Sequence, residues 1–98
     1  MKRLYNLTRN NLESDIYDGL YGIASERLLT ENDLAGLSKA DLKIMRNEIF
    51  ARYGYTFKTS DMREYFEKQS WYSAEYSDVS SMLTDIEKTN ISFIKSHE

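Results

Sequence analysis

The stretch that decides the fold is residues 38–54, which read SKADLKIMRNEIFARYG. Ser38 and Asp41 have the spacing of a helix start, in which each side chain caps a backbone N–H near the other residue. Residues able to form one buried helical face then recur at spacings of three and four: Leu42, Met45, Ile49 and Tyr53. Gly54 can end the helix in the left-handed conformation. The pattern predicts a helix over residues 39–53.

Two more helices are predicted downstream. The first covers residues 60–69, begins at Thr59 or Ser60, and turns inward the side chains of Met62, Tyr65 and Phe66. The second covers residues 79–96, with an apolar stripe of Val79, Met82, Leu83, Ile86, Phe93 and Ile94. Residues 55–57 are aromatic and β-branched, which favours extended chain. The predicted fold is all-α, a small bundle of three main helices with short N-terminal helical and extended segments.

The N-terminal part allows two interpretations. Asn10 and Glu13 have capping-box spacing and predict a short helix that ends near Gly19, whereas Asp18 followed by Gly19 is typical of a hairpin turn. A helical turn between Thr30 and Gly36 comes next. We therefore divide the chain into a segment 1–24, helical or extended, and a helical domain 25–98.

Composition restricts the function. The net charge of −3 provides no overall positive field for nucleic acid. The absence of Cys and the single His predict no disulfide, metal site or cofactor. No apolar run approaches the roughly 20 residues that span a bilayer. The basic start at Met1 is not followed by an apolar core, so no signal peptide is expected in this chain.

Residues 46–57, RNEIFARYGYTF, resemble the YARHG domain family, named for the string Tyr-Ala-Arg-His-Gly. The resemblance extends over residues 29–94, through LTENDL at 29–34, the Trp71-Tyr72 pair and IEKTNI at 86–91. Phe50 replaces the usual Tyr, and Tyr53 replaces the usual His. The resemblance implies a bacterial, extracytoplasmic location, in the cell envelope or among secreted proteins. It does not indicate a reaction.

The replacement at Tyr53 bears on chemistry. If the family's His bound a metal or acted as a base, this chain would lack that group, because a phenol titrates near 10. A ring that packs and donates one hydrogen bond tolerates the change. Packing is therefore the better interpretation of this position.

The two arginines of the motif are candidates for binding. Arg46 lies within the apolar arc of its helix, where it could join helices through Glu87 or Asp61, or could bind an anion or carboxylate. Arg52 can pair with Glu48 one turn away. The candidate binding residues are Arg46, Arg52, Tyr72 and Tyr76, the two tyrosines being as compatible with exposure as with burial.

Other motif residues are expected to be structural. We expect Asn47 to hold residues 55–57 or the connector near Trp71, and Asn90 to cap backbone groups of a neighbouring loop. The rings of Phe57, Phe66 and Trp71 are expected in the core, although interleaved aromatic and basic residues also resemble a stacking platform for sugars or bases. The structural set is Asn47, Glu48, Phe50, Tyr53, Gly54, Tyr55, Phe57, Phe66, Trp71 and Asn90.

No catalytic residues are predicted. The sequence has no phosphate-binding loop, HExxH or EF-hand spacing, and His97 lies at a frayed terminus. We predict a non-catalytic binding or accessory module whose ligand is a partner protein or a cell-wall polymer. The alternatives are a structural spacer without a ligand and a small glycan hydrolase that uses paired carboxylates about 5–10 Å apart.

Overall fold

The structure, a computed structural model, describes residues 17–98. Its α-helices are α1 (Glu31–Leu34), α2 (Lys39–Arg52), α3 (Ser60–Glu67) and α4 (Asp85–Ser96), and 3₁₀ turns lie at Gly22–Ser25 and Ser80–Met82. The prediction of a small all-α bundle with three main helices is confirmed. The helix start predicted at Asn10 lies outside the described residues. Within residues 17–98, no helix combines the length and apolar character needed to cross a membrane.

Helix α2 forms as its local pattern predicts. The Ser38 hydroxyl accepts a hydrogen bond from the Asp41 N–H at 3.0 Å, and the Asp41 carboxylate accepts one from the Ser38 N–H at 3.1 Å. The helix ends at Arg52, one residue earlier than expected, and Gly54 follows with φ +87°. Its buried face carries Leu42, Met45, Glu48, Ile49 and Ala51.

The helix predicted over residues 79–96 is divided, which corrects its start. Thr84 has extended backbone, and its hydroxyl accepts a hydrogen bond from the Glu87 N–H, so a capping box starts α4 at Asp85. An N-cap residue has non-helical backbone, and the preceding 3₁₀ turn therefore cannot run on into α4. Met82 and Ile86, both expected in the apolar stripe, are instead 36% exposed.

Helix α3 begins where it was predicted to begin but ends earlier. It runs from Ser60 to Glu67, two residues short of the expected end. Thr59 is the N-cap residue, but its side chain makes no capping hydrogen bond. The buried residues of α3 are Met62 and Phe66, whereas Tyr65 is half-buried.

The larger core lies between α2, α4 and the chain before α1. Tyr21, Ile23 and Ala24, which fall in the predicted N-terminal segment, pack there. The remaining buried members are Leu29, Leu34, Leu42, Met45, Ile49 and Ile94. Residues 21–24 are thus part of the same hydrophobic core as α2 and α4.

A second cluster is built on aromatic rings. Phe57 and Phe66 are buried and stacked, with ring centroids 4.8 Å apart. Trp71 is half-buried and meets Phe66 edge-on at 6.0 Å. The Thr56 N–H donates to the Tyr76 carbonyl at 2.8 Å, and an isolated parallel bridge joins Tyr55 to Tyr76. The connector after α3 therefore runs beside the extended chain at residues 55–57.

Candidate functional site

A buried ion pair lies on α2. Arg52 Nη1 is 3.2 Å from Glu48 Oε1, one helical turn away, and the two side chains are only 7% and 1% exposed. Such a pair contributes little net stability compared with an apolar replacement, but removal of one partner leaves an uncompensated buried charge. The fold therefore requires Glu48 and Arg52 to be kept together.

The Glu48 carboxylate also binds the chain before the first 3₁₀ turn. It accepts hydrogen bonds from the N–H groups of Leu20 at 2.8 Å and Tyr21 at 2.9 Å. Burial raises the pKa of Glu48, and these two N–H groups together with Arg52 oppose the rise. Gly19 has φ +101°, and a Cβ atom there would lie 2.5 Å from Glu48 Oε1. Only glycine fits beside the carboxylate without a shift.

Arg52 extends the same network. Its Nη1 donates to the Asp18 carbonyl at 2.9 Å, and its Nη2 donates to the Ser25 hydroxyl at 2.8 Å. Burial lowers the pKa of Arg52, and Glu48 opposes that change. Its Nε is buried and has no hydrogen-bond partner among the described residues. One donor of the guanidinium thus makes no hydrogen bond within residues 17–98.

Tyr53 joins the end of α2 to the start of α4. Its hydroxyl donates to Glu87 Oε1 at 2.6 Å, and the same oxygen accepts the Thr84 N–H at 2.9 Å. Burial and the bond to Glu87 raise the pKa of Tyr53. The phenol at this position packs and donates one hydrogen bond.

Asn90 fastens α4 to the loop before α1. Its Oδ1 accepts the Leu29 N–H at 2.9 Å, and its Nδ2 donates to the carbonyls of Ala24 and Arg27, each at 2.8 Å. The side chain is 1% exposed. These bonds use both ends of the amide.

An open cleft lies at the end of α2, with a volume of about 350 Å³. Residues 51–54 contribute to its lining, together with four connector residues and one residue of the second 3₁₀ turn: Trp71, Ser73, Glu75, Tyr76 and Met82. We call it the motif cleft. It contains two of the candidate binding residues, Arg52 and Tyr76.

Backbone hydrogen bonds hold the motif cleft together. The Gly54 carbonyl accepts the N–H groups of Glu75 at 2.8 Å and Tyr76 at 2.9 Å. A Cβ atom on Gly54 would lie 3.1 Å from the Ser73 carbonyl oxygen, and the positive φ adds to the constraint. Gly54 thus ends α2 and also fixes the connector against it.

A second cleft, of about 340 Å³, lies on another side of α2. Residues 77–80 form part of its lining, and the remaining members are Arg46, Asn47, Phe50 and Tyr55. We call it the Arg46 cleft. It does not share a lining residue with the motif cleft.

The structure corrects the predicted partners of Arg46 and Asn47. Arg46 makes a two-point ion pair with Glu98, with Nη2 3.0 Å from Oε1. Of the two partners expected, Glu87 binds Tyr53 and Asp61 binds Lys43. Helix α2 places Arg46 toward the end of α4 instead.

Asn47 was expected to hold residues 55–57 or the connector. Its Nδ2 instead donates to the Lys43 carbonyl at 2.8 Å, within its own helix. An amide in a helix can reach the carbonyl one turn back, and this local bond competes with long-range ones. Asn47 is half-buried at the Arg46 cleft.

Tyr72 does not join the other candidate binding residues. Its ring packs with Phe57 and Phe66, and its hydroxyl donates to the Tyr55 carbonyl. The four candidates therefore lie in three places: Arg52 and Tyr76 in the motif cleft, Arg46 in the Arg46 cleft, and Tyr72 in the aromatic cluster.

The model of one protein family, the YARHG domain, matches residues 18–98. The chain belongs to the YARHG domain family. The resemblance predicted from residues 29–94 is confirmed, and the match begins earlier, at Asp18. The family is a non-catalytic one of unknown function. No curated protein matches the chain, and no solved structure matches it.

The family match places the name motif in the structure. Ala51, Arg52 and Gly54 stand in this YARHG domain as in the name, Tyr53 stands for His, and all four line the motif cleft. The match also includes Asp18 and Gly19, which lie beside the Glu48 and Arg52 network.

Several residues of the YARHG domain escaped prediction from the sequence. Ser73 and Glu75 gave no local signal, and Met82 was assigned to the apolar stripe of the last helix, because only the tertiary fold brings these residues to the end of α2. The bond between Tyr53 and Glu87 had a partial signal, since Thr84 and Glu87 have capping-box spacing. Within residues 17–98, no group of three acidic or His side chains could hold a metal ion.

Proposed function

We propose that this YARHG domain is a non-catalytic binding module of a bacterial extracytoplasmic protein, and that it binds its ligand in the motif cleft. The observation that carries the proposal is that Arg52, a residue of the family's name motif, both holds the fold together and lines this open cleft. Its two Nη groups bind the Asp18 carbonyl and the Ser25 hydroxyl, and its buried Nε has no hydrogen-bond partner within residues 17–98.

The surroundings of the motif cleft support binding. Tyr76 is 44% exposed, and Met82 is also among the exposed large hydrophobic residues. Their cleft has a volume within the usual range of ligand pockets, about 300–1,000 Å³. Its connector wall is held by hydrogen bonds to Gly54, so little ordering is needed when a ligand binds.

The lining gives little support to a hydrolase. Cleavage of a glycosidic bond by the usual mechanism needs two carboxyl groups on either side of the bond. Glu75 is the one carboxylate among the residues that line the motif cleft.

The extracytoplasmic location rests on family membership, and fractionation of cells that produce the natural protein tests it.

A retention experiment tests the binding function. The full chain is immobilised and exposed separately to purified peptidoglycan and to an extract of envelope proteins. We expect one of them to be retained by the wild type and by Ser92→Ala, an exposed position on α4, but lost with Tyr76→Ala. Equal thermal melts of the variants exclude unfolding. Retention of neither material, or retention unaffected by Tyr76→Ala, contradicts the proposal.

The alternative is a structural spacer, favoured by the internal bonds of the Glu48 and Arg52 network. A spacer requires these bonds but has no use for the motif cleft. It predicts a large loss of melting temperature for Arg52→Ala and no retention of any wall or envelope component that depends on Tyr76.

A further inference from the structure

We infer that the motif cleft binds a neutral carbohydrate, a glycan segment of hexose or N-acetylhexosamine units. The inference rests on the proposed function, because it names the ligand class of the same cleft. Three properties of the lining lead to it: two aromatic rings, side chains that accept and donate hydrogen bonds, and a carboxylate with no free cation beside it in the lining.

The rings suit a ligand with an apolar face. Trp71 and Tyr76 both line the motif cleft. Trp71 is held in place by edge-on contacts with Phe66 at 6.0 Å and Tyr72 at 6.4 Å. The C–H groups on one face of a sugar ring can pack on such a surface, and a fixed ring loses little freedom on binding.

The polar groups need a ligand that both accepts and donates. Ser73 and Glu75 are the exposed polar side chains that contribute to the lining, apart from the hydroxyl of Tyr76. Glu75 can only accept when ionised, and Ser73 can do both. Hydroxyl groups meet both needs, and sugars carry them beside an apolar face.

The charges of the lining disfavour strongly anionic ligands. Arg52 and Glu75 are the charged residues in the lining of the motif cleft. Glu48 already compensates Arg52 at 3.2 Å, whereas Glu75 makes no ion pair with another described residue. A phosphate or uronic acid would therefore meet the Glu75 carboxylate without a free cation. A neutral sugar avoids this repulsion.

The test uses a neutral N-acetylglucosamine tetramer and the full chain. Trp71 is the single Trp, so its fluorescence reports directly on the motif cleft. We expect saturable changes in Trp71 emission and in the Nε–H NMR signal of Arg52. Tyr76→Ala should weaken binding about tenfold or more, as expected when a stacking ring is lost. Tyr76→Phe and Ser92→Ala should bind as the wild type does.

A second comparison tests the charge argument. An oligogalacturonate of equal length should bind the wild type at least about tenfold more weakly than the neutral tetramer. Glu75→Gln should reduce the difference in affinity between the two oligomers. It should change the affinity for the neutral tetramer by less than about threefold. Equal binding of the two oligomers to the wild type would overturn the charge argument and with it the inference.

Failure of the inference can be told apart from failure of the proposed function. If neither oligomer changes Trp71 emission or the Arg52 signal, but envelope protein is still retained in a Tyr76-dependent way, the ligand is not a carbohydrate. The binding function then stands and this inference is wrong. If retention is also absent, both are wrong.

Discussion

Gly19 and Glu48 lie directly against each other. A Cβ atom at Gly19 would meet the carboxylate at 2.5 Å, and φ is +101°. Gly36 offers a matched comparison, since φ is +83° but nothing lies within 4 Å of a Cβ atom there. Substitution of Gly36 therefore tests backbone strain alone, whereas substitution of Gly19 tests strain together with a close contact.

We expect Gly19→Ala to lower the free energy of unfolding by more than about 3 kcal/mol, because strain and displacement of the Glu48 carboxylate add together. Gly36→Ala should cost about 1–2 kcal/mol, from strain alone. Urea unfolding measures both. Equal losses would mean that the contact with Glu48 is unimportant.

The ion pair on α2 should show strong coupling. Glu48→Gln should lower the free energy of unfolding by about 3–5 kcal/mol, because Arg52 is left charged and buried. Arg52→Gln should cost a similar amount, and the double variant should cost clearly less than the sum. A double-mutant cycle by urea unfolding checks this, with exposed Glu64→Gln as control. Additive losses would contradict direct coupling.

At the scale of elements, capping boxes account for three of the four α-helix starts in residues 17–98, that of α3 being the exception. Thr30, Ser38 and Thr84 each share reciprocal bonds with the acidic residue three positions later. The first box was recognised in the sequence as the start of a helical turn, and the second as the start of α2. Failure to use the third placed the start of α4 too early. These patterns are readable because both partners lie within one turn of the chain.

The capping box of α1 leads to a prediction about how stability depends on pH, through the Asp33 carboxylate. Hydrogen bonds from Arg27, followed in size by those from Thr30, lower the pKa of Asp33 to about 2. An unfolded Asp titrates near 3.9, so the stabilising effect is complete above about pH 4 and is lost as pH falls towards 2. We expect Arg27→Gln to raise the pKa of Asp33 toward its ordinary value in an NMR titration. Arg63→Gln, at an exposed residue, should leave it unchanged, and equal effects would refute this assignment.

At the scale of the whole molecule, Asn90 connects segments far apart in sequence. Its partners Ala24, Arg27 and Leu29 precede it by 61–66 residues. We expect Asn90→Ala to lower the free energy of unfolding by about 2–4 kcal/mol, because an N–H and two carbonyls lose their partner. Thr89→Ala, an exposed neighbour, is the control. Similar unfolding curves for the two variants would show that water replaces the amide.

The location of the candidate site also belongs to the whole molecule. Ala51, Arg52, Tyr53 and Gly54 are consecutive and were recognised as a motif from the sequence. The residues that complete the motif cleft, Glu75 among them, come from the connector and the second 3₁₀ turn. No short-range pattern links these parts of the chain, so the cleft itself could not be predicted.

The amino-acid sequence alone determined the family, the helical fold class, the start of α2 and the glycine that ends it, because apolar periodicity and caps act over a few neighbouring residues. Tertiary structure alone decided that the buried Glu48 carboxylate accepts hydrogen bonds from the N–H groups of Leu20 and Tyr21, and that Arg46 pairs with Glu98. Such contacts join distant segments, and the packing of the complete core selects among many chemically equivalent partners.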